Sequence, residues 1–337
     1  MQIAFFSTRK YDRDSFEAVY GDSKDIEFHF IEPSLDVKTA VLAEGCDAVC
    51  IFVNDDASGP VLEILKDKGI KYIALRCAGT NNVDIKKAED LGLTVVSVPS
   101  YSPEAVAEFA VGMILTLSRK YHKAYHRVRD GNFLLDGLLG QNINGKTVGL
   151  IGTGRIGLCT GKILSLGFGA TVIAYDPYPA PAEVAQKHGI TYVQQLDELL
   201  ERSDMISIHC PLLPSTRHVI NEETIGKMKN GVILVNTSRG GLIDTSALIK
   251  GLKENKFAAV GMDVYEKESE YFFRDSSEKV IQDDQLSRLL SFHNVFVSGH
   301  QAFFTIEALH GIAETTLSNL RSLAKGEQCK NIVKSSK

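Results

Sequence analysis

Three apolar stretches in the second half of the chain end at side chains that could bind an anion or transfer a proton. Arg239 follows VILVN, Asp263 ends FAAVGMD, and His300 follows NVFVSG. A guanidinium holds a carboxylate or a carbonyl oxygen by paired donors, and an imidazole exchanges protons near neutral pH. We therefore expect Arg239 to hold an oxygen-bearing substrate and His300 to act as its acid or base.

Each of these residues also has an ordinary structural interpretation. A single arginine more often pairs with a structural carboxylate, and a single histidine is more often structural. The glutamates after Asp263, at positions 266, 268 and 270, could form a solvated loop. The shared setting favours function, because parallel strands bind ligands at their carboxyl ends. The residues alone leave open which of these acids would serve the histidine.

A second chemical signal is GTGRIG, which lies between the strand-like run TVGLI and a helical segment. Gly152 permits a tight turn, Gly154 lets the backbone approach a pyrophosphate, and Gly157 lets helix and strand pack closely. Asp176 ends the next strand, where it could accept hydrogen bonds from an adenosine ribose and repel a 2′-phosphate. An aspartate before proline is also common in turns. The combination predicts NAD rather than NADP.

Two arrays of alternating strands and helices are needed to position these residues. Short β-rich runs alternate with helical stretches over the first hundred residues and again from residue 146 onward. This alternation predicts an α/β protein with two doubly wound parallel-sheet domains of Rossmann or flavodoxin type. We expect the active site in the cleft between the domains.

One long helix over 102–131 is expected to connect the arrays. Ser102 could cap it, Pro103 suits its first turn, and Gly131 could end it. Its first half is almost entirely apolar and its second half is basic. The apolar surface fits either a core helix or packing against another subunit, and the sequence does not choose between them.

Composition bounds the remaining possibilities. The chain has 337 residues, 44% of them apolar, and a net charge of -5, which indicates a globular protein and argues against nucleic acid as a partner. It has no signal-peptide pattern and no apolar run of about 18 residues, so we expect no membrane segment. The six cysteines include no C-x-x-C pair and no dense disulfide framework. Cys46 and Cys50 would face the same side of a strand, a weak indication of a metal site, but no third ligand lies nearby and buried thiols are favoured. We expect no metal site and a reducing, cytoplasmic location.

The chain resembles the NAD-dependent D-2-hydroxyacid dehydrogenase family over nearly its whole length, and most closely the bacterial members that form D-lactate. The stretches that carry the resemblance include KYIALRCAGTNNVD, VPSYSPEAVAEFAVG, IGTGRIG, VNTSRGGLID, GMDVYE and GHQAFFTIEAL. The resemblance implies reversible, NADH-dependent reduction of a 2-oxo acid such as pyruvate. It also implies a homodimer or a homotetramer.

Residue roles follow from the resemblance. It assigns Arg239 to the 2-oxo acid, His300 to acid–base catalysis, and Glu268 to the histidine's partner. The substrate would also contact Ala78, Gly79 and Tyr101, the first two through backbone N–H groups. The implied cofactor residues are Gly152, Gly154, Arg155, Ile156, Gly157, Asp176, Cys210, Pro211, Thr216, Thr237, Ser238 and Asp263.

The resemblance also orders the domains. Residues 1–101 and 300–337 would form the substrate domain, and residues 102–299 the NAD-binding domain, opening with the long crossover helix. Two other functions remain open. The substrate could be a bulkier 2-oxo acid or phosphohydroxypyruvate. Alternatively, the chain could be a non-catalytic, NAD-sensing interaction protein, although retention of Arg239, Glu268 and His300 argues against this.

Overall fold

The computed structural model describes residues 1–21 and 25–335. The chain divides into two compact units, one of Met1–Ser102 with Phe304–Lys337 and the other of Pro103–Phe303. Each unit contains its own parallel sheet, which confirms the predicted α/β class with two doubly wound domains. The domain limits predicted from the sequence lie a few residues from these boundaries.

In the first unit, five strands pair in parallel in the order β2-β1-β3-β4-β5. The apolar runs form these strands because a parallel sheet covered by helices buries both of its faces. All four residues of the central strand β3 are buried. The elements are β1 (Gln2–Phe5), α1 (Lys10–Tyr20), β2 (Glu27–Phe30), β3 (Ala48–Ile51), α2 (Gly59–Asp67), β4 (Tyr72–Leu75), α3 (Ile85–Asp90) and β5 (Thr94–Val96).

The segment 102–131 does not form the single helix that the sequence predicts. It forms two helices, α4 (Pro103–Arg119) and α5 (Tyr121–Arg129). They are separated by Lys120, whose backbone is left-handed with φ 55° and whose Nζ donates to the carbonyl of Gly137. Most of α4 is buried, with Met113 packed on Gly261, whereas α5 has no buried residue.

The second unit contains a parallel sheet in the order β12-β11-β10-β9-β6-β7-β8. Strand order reverses between β6 and β9, which is where sheets of this kind bind dinucleotides. The strands are β6 (Thr147–Ile151), β7 (Thr171–Tyr175), β8 (Ile190–Tyr192), β9 (Met205–Ile208), β10 (Val232–Asn236), β11 (Phe257–Met262) and β12 (Val295–Val297). The helices are α6 (Arg155–Lys162), α7 (Ala182–Lys187), α8 (Leu196–Arg202), α9 (Glu222–Lys227), α10 (Thr245–Lys253) and α11 (Asp284–Ser291).

The last helix, α12 (Ile306–Ala324), belongs to the first unit and packs against α1 and β4. Thr305 caps it, since its Oγ1 accepts a hydrogen bond from the Ala308 amide at 3.2 Å. Beyond the helix, Ile332 forms an antiparallel bridge with Val96 at the β5 edge of the sheet. No helix in the described parts of the chain is both long and apolar enough to cross a bilayer.

Candidate active site

The candidate acid–base and anion-binding residues follow three neighbouring strands. In the sheet register, Asn236 of β10 lies beside Met262 of β11, and Met262 lies beside Val297 of β12. Arg239 and His300 each come three residues after the end of their strand. Because the strands are parallel, all three exit loops leave the same edge of the sheet.

His300 is hydrogen-bonded to Glu268. Its Nδ1 lies 2.8 Å from Glu268 Oε1, while Glu268 Oε2 accepts from the Tyr265 amide at 3.0 Å. Both side chains are largely shielded from solvent, being 13% and 20% exposed. The carboxylate therefore fixes the ring orientation and leaves Nε2 as the nitrogen that can exchange a proton with a substrate.

The backbone of His300 is itself left-handed, with φ 54°. This conformation is uncommon for a residue with a Cβ and persists when the surroundings impose it. Here the His300 amide donates to the Asp263 carbonyl at 2.7 Å. The neighbouring amides of Gln301 and Ala302 donate to the Asp263 carboxylate, each at 2.9 Å.

Asp263 thus accepts hydrogen bonds from residues 300–302; the segment 298–302 is called the histidine loop below. Its carboxylate also accepts from Ser298 Oγ at 2.6 Å and is completely buried. Burial raises the pKa of this carboxyl, and the hydrogen bonds from Ser298 and the two loop amides oppose that rise. In the structure its partners lie in the histidine loop; the cofactor role that the resemblance implies stays a prediction.

The loop that carries Arg239 packs closely against the loop that carries Glu268. A side chain at Gly240 would overlap the backbone between Tyr265 and Glu266, so only glycine fits there. Asn236 Nδ2 donates to the Arg239 carbonyl at 2.9 Å and closes the turn. Arg239 is partly buried, and its Nη1 donates to the Ser238 carbonyl at 2.7 Å.

The three glutamates that follow Asp263 have different partners. Only Glu268 reaches His300 among them, and Glu270 is exposed. Glu266 binds a second histidine, His218, through Nε2 at 2.7 Å. It also accepts from Arg217 at 3.2 Å and from Thr245 Oγ1 at 3.0 Å. The structure therefore separates acids that the residue pattern could not distinguish.

The glycines of the fingerprint meet the steric demands of a dinucleotide loop. Gly152 has φ 95° and lies against the Cys210 backbone, and a Cβ at Gly157 would overlap the Gly152 carbonyl oxygen. A Cβ at Gly154 would meet nothing within 4 Å, so this side of the loop is open to a ligand. Arg155 begins helix α6, and Ile156 follows it. The loop therefore fits a pyrophosphate at the helix start.

Asp176 lies immediately after β7 and is linked to this loop. Its Oδ2 accepts from the Thr153 amide at 2.7 Å and from Thr153 Oγ1 at 2.9 Å. The carboxylate is therefore held beside the fingerprint, where the sequence predicts a ribose contact. Its further connection to Tyr192 was not found from the sequence.

The remaining predicted cofactor residues line neighbouring turns. Ser238 Oγ donates to the Cys210 carbonyl at 2.7 Å, which joins the β10 and β9 exits. Thr216 Oγ1 donates to the Pro211 carbonyl at 2.6 Å and folds the turn after β9. Thr237 Oγ1 is buried and has no hydrogen-bond partner in the described part of the protein. An orphaned buried hydroxyl fits a site completed by a ligand.

The predicted carboxylate-binding residues of the first unit follow β4. Ala78 is exposed, Gly79 and Tyr101 are partly buried, and neither the Ala78 nor the Gly79 amide donates to an acceptor within residues 1–21 and 25–335. Arg76, just before this turn, is buried between the rings of Phe5 and Phe52. The sequence did not single out this arginine.

The guanidinium of Arg76 ties the strand ends of the first unit together. Its Nε lies 3.2 Å from Asp12 Oδ1, and its Nη2 donates to the Ser7 carbonyl at 3.1 Å. A second residue missed from the sequence is Phe273, whose ring centroid lies 5.7 Å from that of His300. Both contacts join residues that are far apart along the chain or separated by an irregular loop, so no local pattern indicates them.

Comparison with known proteins places these features in a family context. Residues 111–302 match the family described as "D-isomer specific 2-hydroxyacid dehydrogenase, NAD binding domain". The D-lactate dehydrogenase of Escherichia coli K12 is 54% identical over 331 residues, 98% of this chain and 99% of that protein. The solved apo-structure of an E. coli D-lactate dehydrogenase aligns with a TM-score of 0.88 at 52% identity, covering 99% of this chain and 100% of that chain. An Aquifex aeolicus D-lactate dehydrogenase complexed with NAD and lactic acid aligns with a TM-score of 0.86 at 32% identity, over 99% and 100% of the two chains.

Proposed function

This chain belongs to the D-isomer specific 2-hydroxyacid dehydrogenase family, and from that premise we propose that it reduces pyruvate to D-lactate with NADH. The family is one of NAD-dependent oxidoreductases, and NAD is the cofactor. The observation that carries the proposal is the 2.8 Å hydrogen bond between His300 Nδ1 and Glu268 Oε1, beside the Arg239 loop. In this proposal His300 is the proton donor, and its partner Glu268 lies on the loop that packs against the loop of the anion-binding Arg239.

Substrate binding would use the guanidinium of Arg239. A planar fork of donors can hold the pyruvate carboxylate and polarise its 2-oxo oxygen, on which negative charge develops during reduction. The Ala78 and Gly79 amides would donate to the carboxylate. The fingerprint glycines and the Asp176 carboxylate would hold NADH, which supplies the hydride when bound.

Proton transfer would use His300. With Nδ1 hydrogen-bonded to Glu268, protonated His300 can donate from Nε2 to the oxygen that becomes the hydroxyl of lactate. In the reverse direction the neutral ring accepts that proton. Asp263 and the amides around it keep the imidazole in place while its charge changes.

The proposed function is tested by following NADH oxidation with pyruvate, 2-oxoisocaproate and phosphohydroxypyruvate, with chiral analysis of the product. We expect the largest kcat/KM with pyruvate and D-lactate as the product. A larger kcat/KM with 2-oxoisocaproate than with pyruvate would show that the preferred substrate is a bulkier 2-oxo acid. Binding of NADH without turnover of any 2-oxo acid would favour the non-catalytic alternative.

The proposed ribose contact predicts the effect of Asp176→Ala. The preference for NADH over NADPH, measured as the ratio of kcat/KM values, should fall about ten- to a hundredfold, because hydrogen bonds to a charged group contribute about 1.5–3 kcal/mol. Asp197→Ala is the control, since that exposed aspartate pairs with Lys227 on the protein surface. If Asp176→Ala leaves the ratio of kcat/KM values for NADH and NADPH unchanged, Asp176 does not contact the ribose.

An apolar patch after α5 supports the proposal of a homo-oligomer. Phe133, Leu134, Leu135 and Leu139 are 74%, 65%, 81% and 88% exposed. Large exposed apolar side chains close together in the chain are typical of an interaction surface, and a symmetric dimer can bury the same residues of both copies. We infer that a second copy of this chain covers it.

The oligomer proposal predicts that Leu135→Asp lowers the mass measured by sedimentation to that of a monomer, because assembly would bury the carboxylate. Leu166→Asp is the matched control, since Leu166 is also exposed but lies in another segment. A monomeric wild type, or an intact oligomer in Leu135→Asp, would contradict the proposal.

A cytoplasmic location is also part of the proposal. All six cysteines are free thiols. This state is expected in a reducing compartment.

A further inference from the structure

A chain of hydrogen bonds runs from the segment after β7 to the Asp176 carboxylate. The Ala180 amide donates to Tyr192 Oη at 2.9 Å, and Tyr192 Oη lies 2.8 Å from Thr153 Oγ1. Thr153 Oγ1 in turn lies 2.9 Å from Asp176 Oδ2. These hydrogen bonds thus connect Asp176, the proposed ribose contact, with the dinucleotide fingerprint and the end of β8.

The chemistry of the groups fixes the direction of each bond. An ionised carboxylate only accepts, so the Thr153 hydroxyl donates to Asp176. That hydroxyl then accepts from Tyr192, whose oxygen accepts from the Ala180 amide. Every hydroxyl in the chain therefore has one orientation, and each is satisfied as donor and as acceptor.

The carboxylate is held at both oxygens. Oδ2 accepts from the amide and the hydroxyl of Thr153, and Oδ1 accepts from the Tyr178 amide at 2.9 Å. Thr153 is only 4% exposed and lies between Gly152 and Gly154, so its hydroxyl cannot reach bulk solvent without moving the fingerprint. Rotation of the Asp176 side chain would break these bonds together.

The sheet explains why these residues meet. β6, β7 and β8 are adjacent parallel strands, and Ala174 of β7 pairs with Tyr192 of β8. Tyr192 is the last residue of β8, at the same carboxyl-terminal side of the sheet where the fingerprint follows β6 and Asp176 follows β7. A tyrosine at this position is long enough to reach from the outermost strand to the fingerprint.

We propose that Tyr192 and Thr153 are positioning residues that fix Asp176 in the orientation required to accept the adenosine ribose hydroxyls and to repel a 2′-phosphate. The inference rests on the proposed role of Asp176 and adds the residues that make this role selective. A carboxylate that cannot turn away discriminates more strongly between a hydroxyl and a phosphate than one that is free to rotate.

The test compares Tyr192→Phe with Tyr121→Phe. Both remove one phenolic hydroxyl, but Tyr121 is exposed on α5 and has no part in the hydrogen-bond chain that ends at Asp176. Dissociation constants for NADH and NADPH are measured by fluorescence titration without substrate. Steady-state kcat at saturating NADH and thermal unfolding are measured beside them.

For Tyr192→Phe we expect the NADH dissociation constant to rise about three- to tenfold, the range for loss of one hydrogen bond. The NADH-to-NADPH affinity ratio should fall, and kcat at saturation should stay within about twofold. Tyr121→Phe should match the wild type. Thr153→Ser keeps the hydroxyl and should retain the ratio, whereas Thr153→Val should lower it. If Tyr192→Phe fails to fold, the comparison of Thr153→Ser with Thr153→Val still tests whether the hydrogen-bond chain makes Asp176 selective.

The outcomes separate the inference from the role on which it rests. If Asp176→Ala leaves the affinity ratio unchanged, the ribose assignment and the inference both fail. If Asp176→Ala lowers the ratio but Tyr192→Phe and Thr153→Val do not, only the positioning role fails. Equal weakening of NADH and NADPH in Tyr192→Phe would show a general structural effect and would also overturn the inference.

Discussion

Replacement of His300 by asparagine is expected to lower kcat for pyruvate reduction by about 10²–10⁴-fold, the contribution of a general acid. Asparagine cannot supply the proton, yet among residues with a Cβ it is well suited to the left-handed backbone at this position. The variant should therefore fold normally and bind NADH like the wild type. Stopped-flow turnover, NADH fluorescence and thermal unfolding measure these three properties.

Glu268, the partner of His300, and His310, an exposed histidine, provide the variants with which His300→Asn is compared. Glu268→Gln can still accept a hydrogen bond from His300 but removes the negative charge beside the ring, so its kcat should lie between that of His300→Asn and the wild type. His310→Asn changes an exposed histidine of α12 and should have no effect. If His300→Asn retains more than about a tenth of the wild-type kcat, His300 is not the acid.

Arg239→Lys is expected to lower kcat/KM for pyruvate by about 10²–10³-fold, the usual size of the effect when one donor to a developing oxyanion is removed. Lysine keeps the positive charge but cannot hold two substrate oxygens with one planar group. The NADH dissociation constant should not change. Kinetics over a range of pyruvate concentrations, together with NADH titration, separate the two effects.

Arg217→Lys is the matched control for Arg239→Lys. Arg217 is 57% exposed and pairs with Glu266, so the exchange should have little effect on turnover. A normal kcat/KM for pyruvate in Arg239→Lys would exclude Arg239 from substrate binding. Equal losses in both variants would instead indicate a general effect on these loops.

The short β-rich runs and their alternation with helical stretches were sufficient to predict most of the fold. The long buried runs, such as VILVN and TVGLI, became strands because a parallel sheet buries both faces and requires continuous apolar sequence. The three-residue strand β8, Ile190–Tyr192, was missed because it is short and only Ile190 is buried. The helix break at Lys120 was missed because nothing in the local composition marks a left-handed lysine.

The candidate site shows a similar division. Arg239, Asp263 and His300 could be found because each follows an apolar strand. The choice of Glu268 needed the family resemblance, since the short helical turn Glu268–Glu270 that orients it cannot be read from the spacing of three acids. The contacts of Arg76 with Asp12 and of Tyr192 with Thr153 join residues 64 and 39 positions apart, and they depend on strand order. Sequence periodicity carries no information about such pairs.

The close fit of Gly240 on the backbone between Tyr265 and Glu266 has a consequence for catalysis. Because the two loops interlock there, and Glu266 also accepts a hydrogen bond from Thr245 at the start of α10, a shift of one loop requires a shift of the other. The Arg239 guanidinium and the His300–Glu268 pair should therefore keep the same relative position during turnover. A methyl group added at position 240 would overlap the other loop's backbone and so change the distance between the guanidinium and the acid–base pair.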